Sequence, residues 1–136
     1  MVTRLNVSSG SPYEPVVGFS RAVRVGNHVF VAGTVGLDAE GKPVGIGDPY
    51  VQARAALERI HAALEAVSAR LSDVVRTRIF VTDVAYWPEV ARAHGEFFAT
   101  VRPAATLVQE SALIAPEHLV EIEAEAVIER DSGELM

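Results

Sequence analysis

The chain has 136 residues, of which 49% are hydrophobic and 22% charged, a length and balance typical of one globular domain. It contains no cysteine, which excludes disulfides, thiolate nucleophiles and cysteine-ligated metals. The net charge is −6, whereas nucleic-acid binders usually carry a basic surplus, so we expect a single domain over residues 1–136 that binds no nucleic acid.

The first third of the chain predicts β-strands. A short strand is expected over residues 1–7. Two β-rich runs, 19–25 and 28–34, flank Gly26-Asn27, a pair typical of a hairpin turn. Residues 36–47 contain four glycines and Pro43 and are predicted to form a loop.

Two helices are predicted in the middle of the chain, with a strand between them. Asp48-Pro49 supplies an N-cap and a first-turn proline. From Ala53 to Leu71, apolar residues recur at steps of three and four, which indicates one helical stripe. The β-branched run 73–83 predicts a strand. A second helix is expected from Trp87-Pro88 to about residue 100.

Two further strands complete the predicted fold. One covers residues 103–110 and follows a proline that cannot continue a helix. The other covers residues 119–129, where apolar residues alternate with glutamates. The order β-ββαβαββ indicates an α+β fold, with one sheet that carries two helices on one face.

The open face of this sheet is expected to mix charged and apolar side chains. Strand parity places Val75 on the helix-covered face with the other apolar residues of its strand. A mixed open face suggests a subunit interface with ion pairs; the alternative is a solvated face whose ion pairs contribute little. The residues assigned to the open face are Phe30, Arg76, Arg78, Phe80, Leu107, Glu121, Glu123 and Glu125.

Four segments, in order over nearly the whole chain, carry a resemblance to a known family. They read GNHVFVAG at 26–33, VRTRIFVTD at 75–83, FF before RPA at 97–104, and VEIEA at 120–124. On these segments the chain resembles the Rid family of YjgF-like reactive-intermediate deaminases, also labelled L-PSP endoribonucleases. The resemblance implies a chorismate-mutase-like fold, a homotrimer with ligand clefts between subunits, and hydrolysis of 2-imino acids, or their enamine tautomers, to 2-keto acids and ammonia.

The resemblance also implies which positions line the ligand cleft. The family's signature arginine, which grips the substrate carboxylate, falls at Ala105, and a methyl group cannot replace a bidentate guanidinium. Phe19 stands where a tyrosine is usual, Ala32 where a serine is usual, and Ala91 where an asparagine is usual. Glu121 is retained and matches the glutamate that handles water or protons in the deaminases.

Glu121 is therefore the predicted catalytic residue, if the chain is an enzyme. A single carboxylate in a partly dry cleft can act first as a base and then as an acid. The alternative role is a structural ion pair with Arg76 or Arg78. A cleft without its arginine is more apolar, so a neutral or aromatic ligand is expected in place of the usual 2-imino acids.

Other residues are candidates for ligand contact. His94 lies near the apolar stripe of the second helix, where an imidazole could donate a proton or orient a ligand, or simply pack. Arg21 or Arg102 could replace the missing clamp or stay solvated, and Glu14, between two prolines, could supply a carboxylate or belong to an ordinary loop. The predicted substrate-binding residues are Phe19, Ala32, Ala105, Leu107, Arg21, Arg102, Glu14 and His94.

Other chemistries have no supporting motif. The sequence has no HxH or HExxH pattern, no phosphate loop and no G-x-S-x-G elbow, so neither a metal nor a cofactor is expected. No secretory signal or membrane-length apolar run is present, and a cytoplasmic protein without a membrane partner is expected. The open functions are a Rid-like hydrolase, a non-catalytic protein that binds a small metabolite or partner, and, least favoured, an RNA-acting protein.

Overall fold

Six strands in one mixed sheet and two α-helices form the fold, in a computed structural model that describes residues 3–129. The strands run in the order β1-β2-β3-β6-β4-β5, and only β4 and β5 are parallel. The predicted α+β fold, with one sheet and two helices, is confirmed. The elements are β1 Arg4–Val7, β2 Ala22–Val25, β3 His28–Thr34, α1 Pro49–Ala66, β4 Val74–Val81, α2 Trp87–Phe98, β5 Ala104–Gln109 and β6 Val120–Val127.

Local interactions and backbone conformation set the two ends of helix α1. The Asp48 side chain accepts a hydrogen bond from the Val51 N–H at 3.1 Å, and Pro49 occupies the first turn. The predicted stripe reaches Leu71, but the helix ends at Ala66 because Ser68 adopts φ +65° and turns the chain. The helix buries its apolar face on the sheet, and each fully buried Leu or Ile contributes about 1.5–3 kcal/mol. The buried large residues are Leu57, Ile60 and Leu64.

A bulge in β4 reverses the side-chain alternation at its first residues. The register between β4 and β6 shifts between Val74 and Arg76. Val74 is buried, whereas Val75 is 46% exposed. The prediction that Val75 faces the helices is therefore wrong, because the bulge inserts one residue and inverts the parity on its N-terminal side.

Leu107 lies on the helix-covered face of β5, so its expected place on the open face is also wrong. It pairs with Ile79, which is buried in the core, and packs against that core itself. Strand parity alone could not assign its face, because the register of β5 against β4 decides which residues align. Phe30 and Phe80 do face the open side, opposite glutamates of β6.

The chain between β1 and β2 is more elaborate than the strand predicted from residue 19. Strand β2 starts only at Ala22, after a π-helical turn over Glu14–Gly18. Gly18 has φ +86°, and Phe19 follows it in an extended connection. Within residues 3–129, neither helix combines the length and the apolar character needed to cross a lipid bilayer.

Candidate functional site

A cleft of about 450 Å³ lies at the β1–β3 end of the sheet. Three of the predicted site residues line it: Glu14, Phe19 and Ala32. The exposed ring of Phe30 and the polar side chains of β1 complete much of its surface. We call this the β1–β3 cleft.

Glu121 lies beside the same end of β3, with its carboxylate over Gly33. A Cβ at Gly33 would lie 2.5 Å from Oε2 of Glu121, so glycine is needed for this close approach. Gly33 follows Ala32 directly, which brings the half-buried carboxylate next to the β1–β3 cleft. Burial raises the pKa of Glu121, an effect that Arg21 opposes and Glu123 reinforces.

The arginines of β4 contact other glutamates. Arg78 donates hydrogen bonds from Nη1 to Oε1 of Glu123 and to Oε1 of Glu125, both at 3.0 Å. Arg76 Nε lies 3.8 Å from Oε1 of Glu125. In the part of the chain that the structure describes, no hydrogen bond or ion pair joins Glu121 to either arginine. The Glu121 carboxylate is therefore not held in the structural ion pair that was its alternative role.

Arg21 is buried behind the cleft and does not line it. Its Nη1 donates to the Gly33 carbonyl oxygen and, at 3.1 Å, to Oγ1 of Thr34. Its guanidinium carbon lies 5.4 Å from the centre of the Phe19 ring, a cation–π contact. The guanidinium is therefore directed to β3 and not to a ligand in the β1–β3 cleft.

Glu14 is a buried carboxylate satisfied within its own segment. Its Oε2 accepts hydrogen bonds from the Ser9 N–H at 3.0 Å and the Ser9 hydroxyl at 2.6 Å. Burial by itself would raise the pKa of Glu14, but the hydrogen bonds, with Ser9 first and then Ser8 and Ser11, outweigh it and lower the pKa to about 2. Glu14 is thus ionised at neutral pH and ties Ser9 to the start of the π-helical turn.

A second cleft, of about 310 Å³, lies between α2 and β5. It brings together three further predicted site residues, His94, Ala105 and Leu107. Ala91 and the exposed ring of Trp87 also line it, so most of its surface is apolar. We call this the α2–β5 cleft.

His94 is the main polar group of the α2–β5 cleft. Its Nε2 lies 2.9 Å from Oγ1 of Thr77, which is fully buried. Its ring packs against Phe98, with 4.8 Å between ring centres. Burial lowers the pKa of His94, so the ring is neutral at pH 7 and held in one orientation by Thr77.

Arg102 lines neither cleft. It is exposed, has φ +57°, and donates its backbone N–H to the Phe98 carbonyl oxygen at the end of α2. Strand β5 begins only at Ala104, so Arg102 lies in the turn before it.

Comparison with known proteins places the chain in a family. The sequence model of the family described as Endoribonuclease L-PSP matches residues 10–128. The chain belongs to the YjgF, or Rid, family. It is similar to a 3-aminoacrylate deaminase, RutC, of Acinetobacter baylyi, with 33% identity over 90% of this chain and 95% of the relative. It is also similar to a 2-iminobutanoate/2-iminopropanoate deaminase of Dermatophagoides farinae, with 33% identity over 85% of this chain and 90% of that protein.

A solved structure gives the same assignment. Rv2704 of Mycobacterium tuberculosis, described as a member of the YjgF/YER057c/UK114 family, is 50% identical and superposes with a TM-score of 0.85. The superposition covers 93% of this chain and 100% of Rv2704.

In this Rid-family chain, six predicted site residues line the two clefts, Glu121 lies beside the first, and Arg21 and Arg102 line neither. Glu121 faces the open side of the sheet, whereas Ala105 pairs with buried Thr77 at the α2 side. Sequence reasoning missed Gly33 and Thr34, although a glycine inside a strand is a recognised sign of a close approach. Within residues 3–129, no group of three or more His, Cys, Asp or Glu side chains could hold a metal ion.

Proposed function

We propose that this Rid-family chain is a C–N hydrolase that releases ammonia from a small imine or enamine, with Glu121 as its general base and acid. Two relatives named as deaminases support the reaction class. The observation that carries the proposal is the Glu121 carboxylate itself, half-buried over Gly33 while Arg78 is engaged by Glu123 and Glu125.

The raised pKa of Glu121 suits both halves of such a reaction. A water oxygen bonds to the imine carbon, one water proton passes to Glu121, and the π pair of the C=N bond moves to nitrogen. Glu121 returns that proton to the nitrogen, which forms a neutral carbinolamine. Glu121 then carries the hydroxyl proton to nitrogen while the C–N bond breaks and the C=O bond forms, so ammonia leaves and the carboxylate is restored.

The proposed ligand is neutral or aromatic. A ligand carboxylate in the α2–β5 cleft would lose its hydration without a guanidinium in return, because Ala105 offers only a methyl group. The neutral ring of His94 supplies one polar contact among apolar neighbours. A small apolar body with one hydrogen-bonding group therefore matches this cleft.

The proposed assembly is a homotrimer. Glu121 and Ala105 lie on different sides of the sheet within one chain, so one subunit alone does not join them. In a trimer, the α2–β5 cleft of one subunit could complete the site at Glu121 of the next. The half-exposed ring of Phe30 and the ion pairs of Arg78 on the open face support an interface there.

The test measures ammonia released from imines generated in situ. The imine of benzaldehyde represents a neutral aromatic substrate, and 2-iminopropanoate represents the acid class. We expect turnover of the neutral imine, and Glu121→Gln should lower its kcat/KM by about 10²–10⁴-fold. Glu58→Gln, which changes an exposed carboxylate of α1 outside both clefts, is the matched control, and it should retain activity.

Three other outcomes would change the proposal. Wild-type turnover of 2-iminopropanoate would show that another group replaces the arginine, and the neutral-ligand part would be wrong. Full activity in Glu121→Gln would remove Glu121 from the chemistry. Inactivity on both imines, with acid-imine turnover gained in Ala105→Arg, would favour a non-catalytic metabolite-binding protein, the second candidate that the apolar replacements at Ala32 and Ala91 favour.

A further inference from the structure

Two charged groups meet at the irregular end of β3. The register between β3 and β6 shifts between Val31 and Thr34, which places Gly33 in a bulge. Arg21 donates to the carbonyl oxygen of Gly33, and Oε2 of Glu121 lies 2.5 Å from the position that a Cβ of Gly33 would take. One peptide unit therefore contacts both the arginine and the glutamate.

The environment of Arg21 leaves part of its bonding capacity unused. Only 7% of the residue is exposed, and Nη1 is engaged by β3. Its Nε is buried and has no hydrogen-bond partner among residues 3–129. A buried positive charge is costly unless negative charge compensates it, and the carboxylates that act on Arg21 are Glu14 and Glu121.

Glu14 is already committed to the serines of its own segment. Among residues 3–129, Glu121 has no comparable hydrogen-bond partner, and it is the carboxylate placed for chemistry under the proposed function. Arg21 does not line the β1–β3 cleft. The charge of Arg21 can therefore act on Glu121, although Arg21 itself is not among the residues that a ligand in that cleft would contact.

We propose that Arg21 is a positioning residue for Glu121. Its hydrogen bonds to the Gly33–Thr34 bulge fix the backbone over which the half-buried carboxylate lies, and its positive charge favours the carboxylate over the protonated acid. The effect of Arg21 on catalysis rests on the proposed function, since the ionised form of Glu121 is the one that accepts a proton from water.

The charges around the pair agree in sign with this role. Arg21 lowers the pKa of Glu121 against the larger effect of burial, and Glu123 of β6 raises it. Arg21 also interacts electrostatically with Glu14, which carries the opposite charge, and with Arg59 of α1, which carries the same charge. The effects of these two residues on Arg21 therefore have opposite signs. Arg78 of β4 is paired with Glu123 and so limits what Glu123 contributes.

The direct test follows the Glu121 side-chain carboxyl carbon by ¹³C NMR through a pH titration of the full chain. Arg21→Met should raise the pKa of Glu121 by about 1, the smaller end of the range for one nearby opposite charge. Arg21→Lys should largely preserve it, and Glu123→Gln should lower it. Arg24→Met is the matched control, since it removes another partly buried arginine that bonds a backbone carbonyl, and it should leave the pKa of Glu121 unchanged. An unchanged Glu121 pKa in Arg21→Met would overturn the inference.

A second measurement covers the case in which Arg21→Met does not fold. In the wild type, the ¹⁵Nε resonance of Arg21 should shift with pH at the midpoint measured for Glu121, and this step should vanish in Glu121→Gln. If the ¹⁵Nε resonance of Arg21 does not shift as Glu121 titrates, the inference is also contradicted.

Both NMR readouts are independent of turnover. If the chain hydrolyses none of the imines, the proposed function is wrong, but the NMR titrations still test whether Arg21 and Glu121 are coupled. If the chain is active, the acid limb of kcat/KM should move upward in Arg21→Met by the same amount as the carboxyl pKa. A merely structural role for Arg21 would lower activity at all pH values without moving that limb.

Discussion

The two clefts of this chain are built on opposite principles. Beside the β1–β3 cleft, charged side chains are buried and meet backbone groups, as Arg21 does at Gly33 and Glu14 at Ser9. The α2–β5 cleft is lined mainly by apolar side chains, with neutral His94 held by Thr77. One region can supply a proton-transfer group, and the other can supply an apolar surface for a ligand.

The difference teaches where a substitution should affect function and where it should affect stability. Buried charges depend on short, directed contacts, so a small displacement near Glu121 alters chemistry. Ligand binding in the apolar α2–β5 cleft depends on the shape of the cleft. Its hydrogen bond between His94 and Thr77 contributes only modestly to the free energy of folding. Five substitutions test this contrast, and they follow in order of expected effect.

The largest effect is expected from Gly33→Ala. The added Cβ would lie 2.5 Å from Oε2 of Glu121, so the flexible carboxylate must move away from its place beside the cleft. We expect a loss in kcat/KM of about 10²–10⁴-fold, comparable to Glu121→Gln, with a small loss of stability. Imine turnover and thermal unfolding measured together check this, and full activity in a folded variant would break the link between Gly33 and Glu121.

Glu14→Gln should destabilise the chain by about 2 kcal/mol, because a buried charged acceptor of two Ser9 hydrogen bonds becomes neutral. The folded pKa of about 2 lies below the ordinary value of 4.5. The stability from Glu14 is therefore present above about pH 4.5 and is lost as the pH falls toward 2. Urea unfolding at pH 7 and pH 3 should show a gap between wild type and variant that narrows in acid; a constant gap would contradict this account.

Thr34→Val and Thr77→Val compare the two regions with the same change. Both threonines are fully buried. Thr34 accepts from the charged Arg21, so its loss should cost about 1.5–3 kcal/mol, whereas Thr77 contacts neutral His94 and should cost about 1 kcal/mol. Denaturant unfolding of both variants at pH 7 gives the ranking, and equal costs would show that the two regions do not differ as proposed.

Glu58→Gln sets the baseline outside both clefts. Glu58 lies on α1, 3.5 Å from Arg54, and its side chain is 63% exposed. Solvent screens such a pair, so the free energy of unfolding should change by less than about 0.5 kcal/mol. The same urea experiment measures it, and a cost similar to that of Glu14→Gln would mean that burial is not what distinguishes Glu14.

Much of the fold could be predicted because each signal was local. The Gly26-Asn27 turn, the Asp48 cap and the alternation along β6 each depend on neighbours in sequence, and the structure has all three. The errors came where distant segments meet. Val75 was misassigned by a bulge against β6, and Leu107 by the register of β5 on β4.

For the candidate site, the resemblance carried by the sequence singled out Glu121 and Ala105 as candidates, because residue type and order carry that information. Only the tertiary structure decided what surrounds them. It put Glu121 over Gly33 beside buried Arg21, and it put Ala105 with His94 in a separate apolar cleft. The physical reason is that burial, charge and close approach depend on segments far apart in the chain, which only the packed sheet brings together.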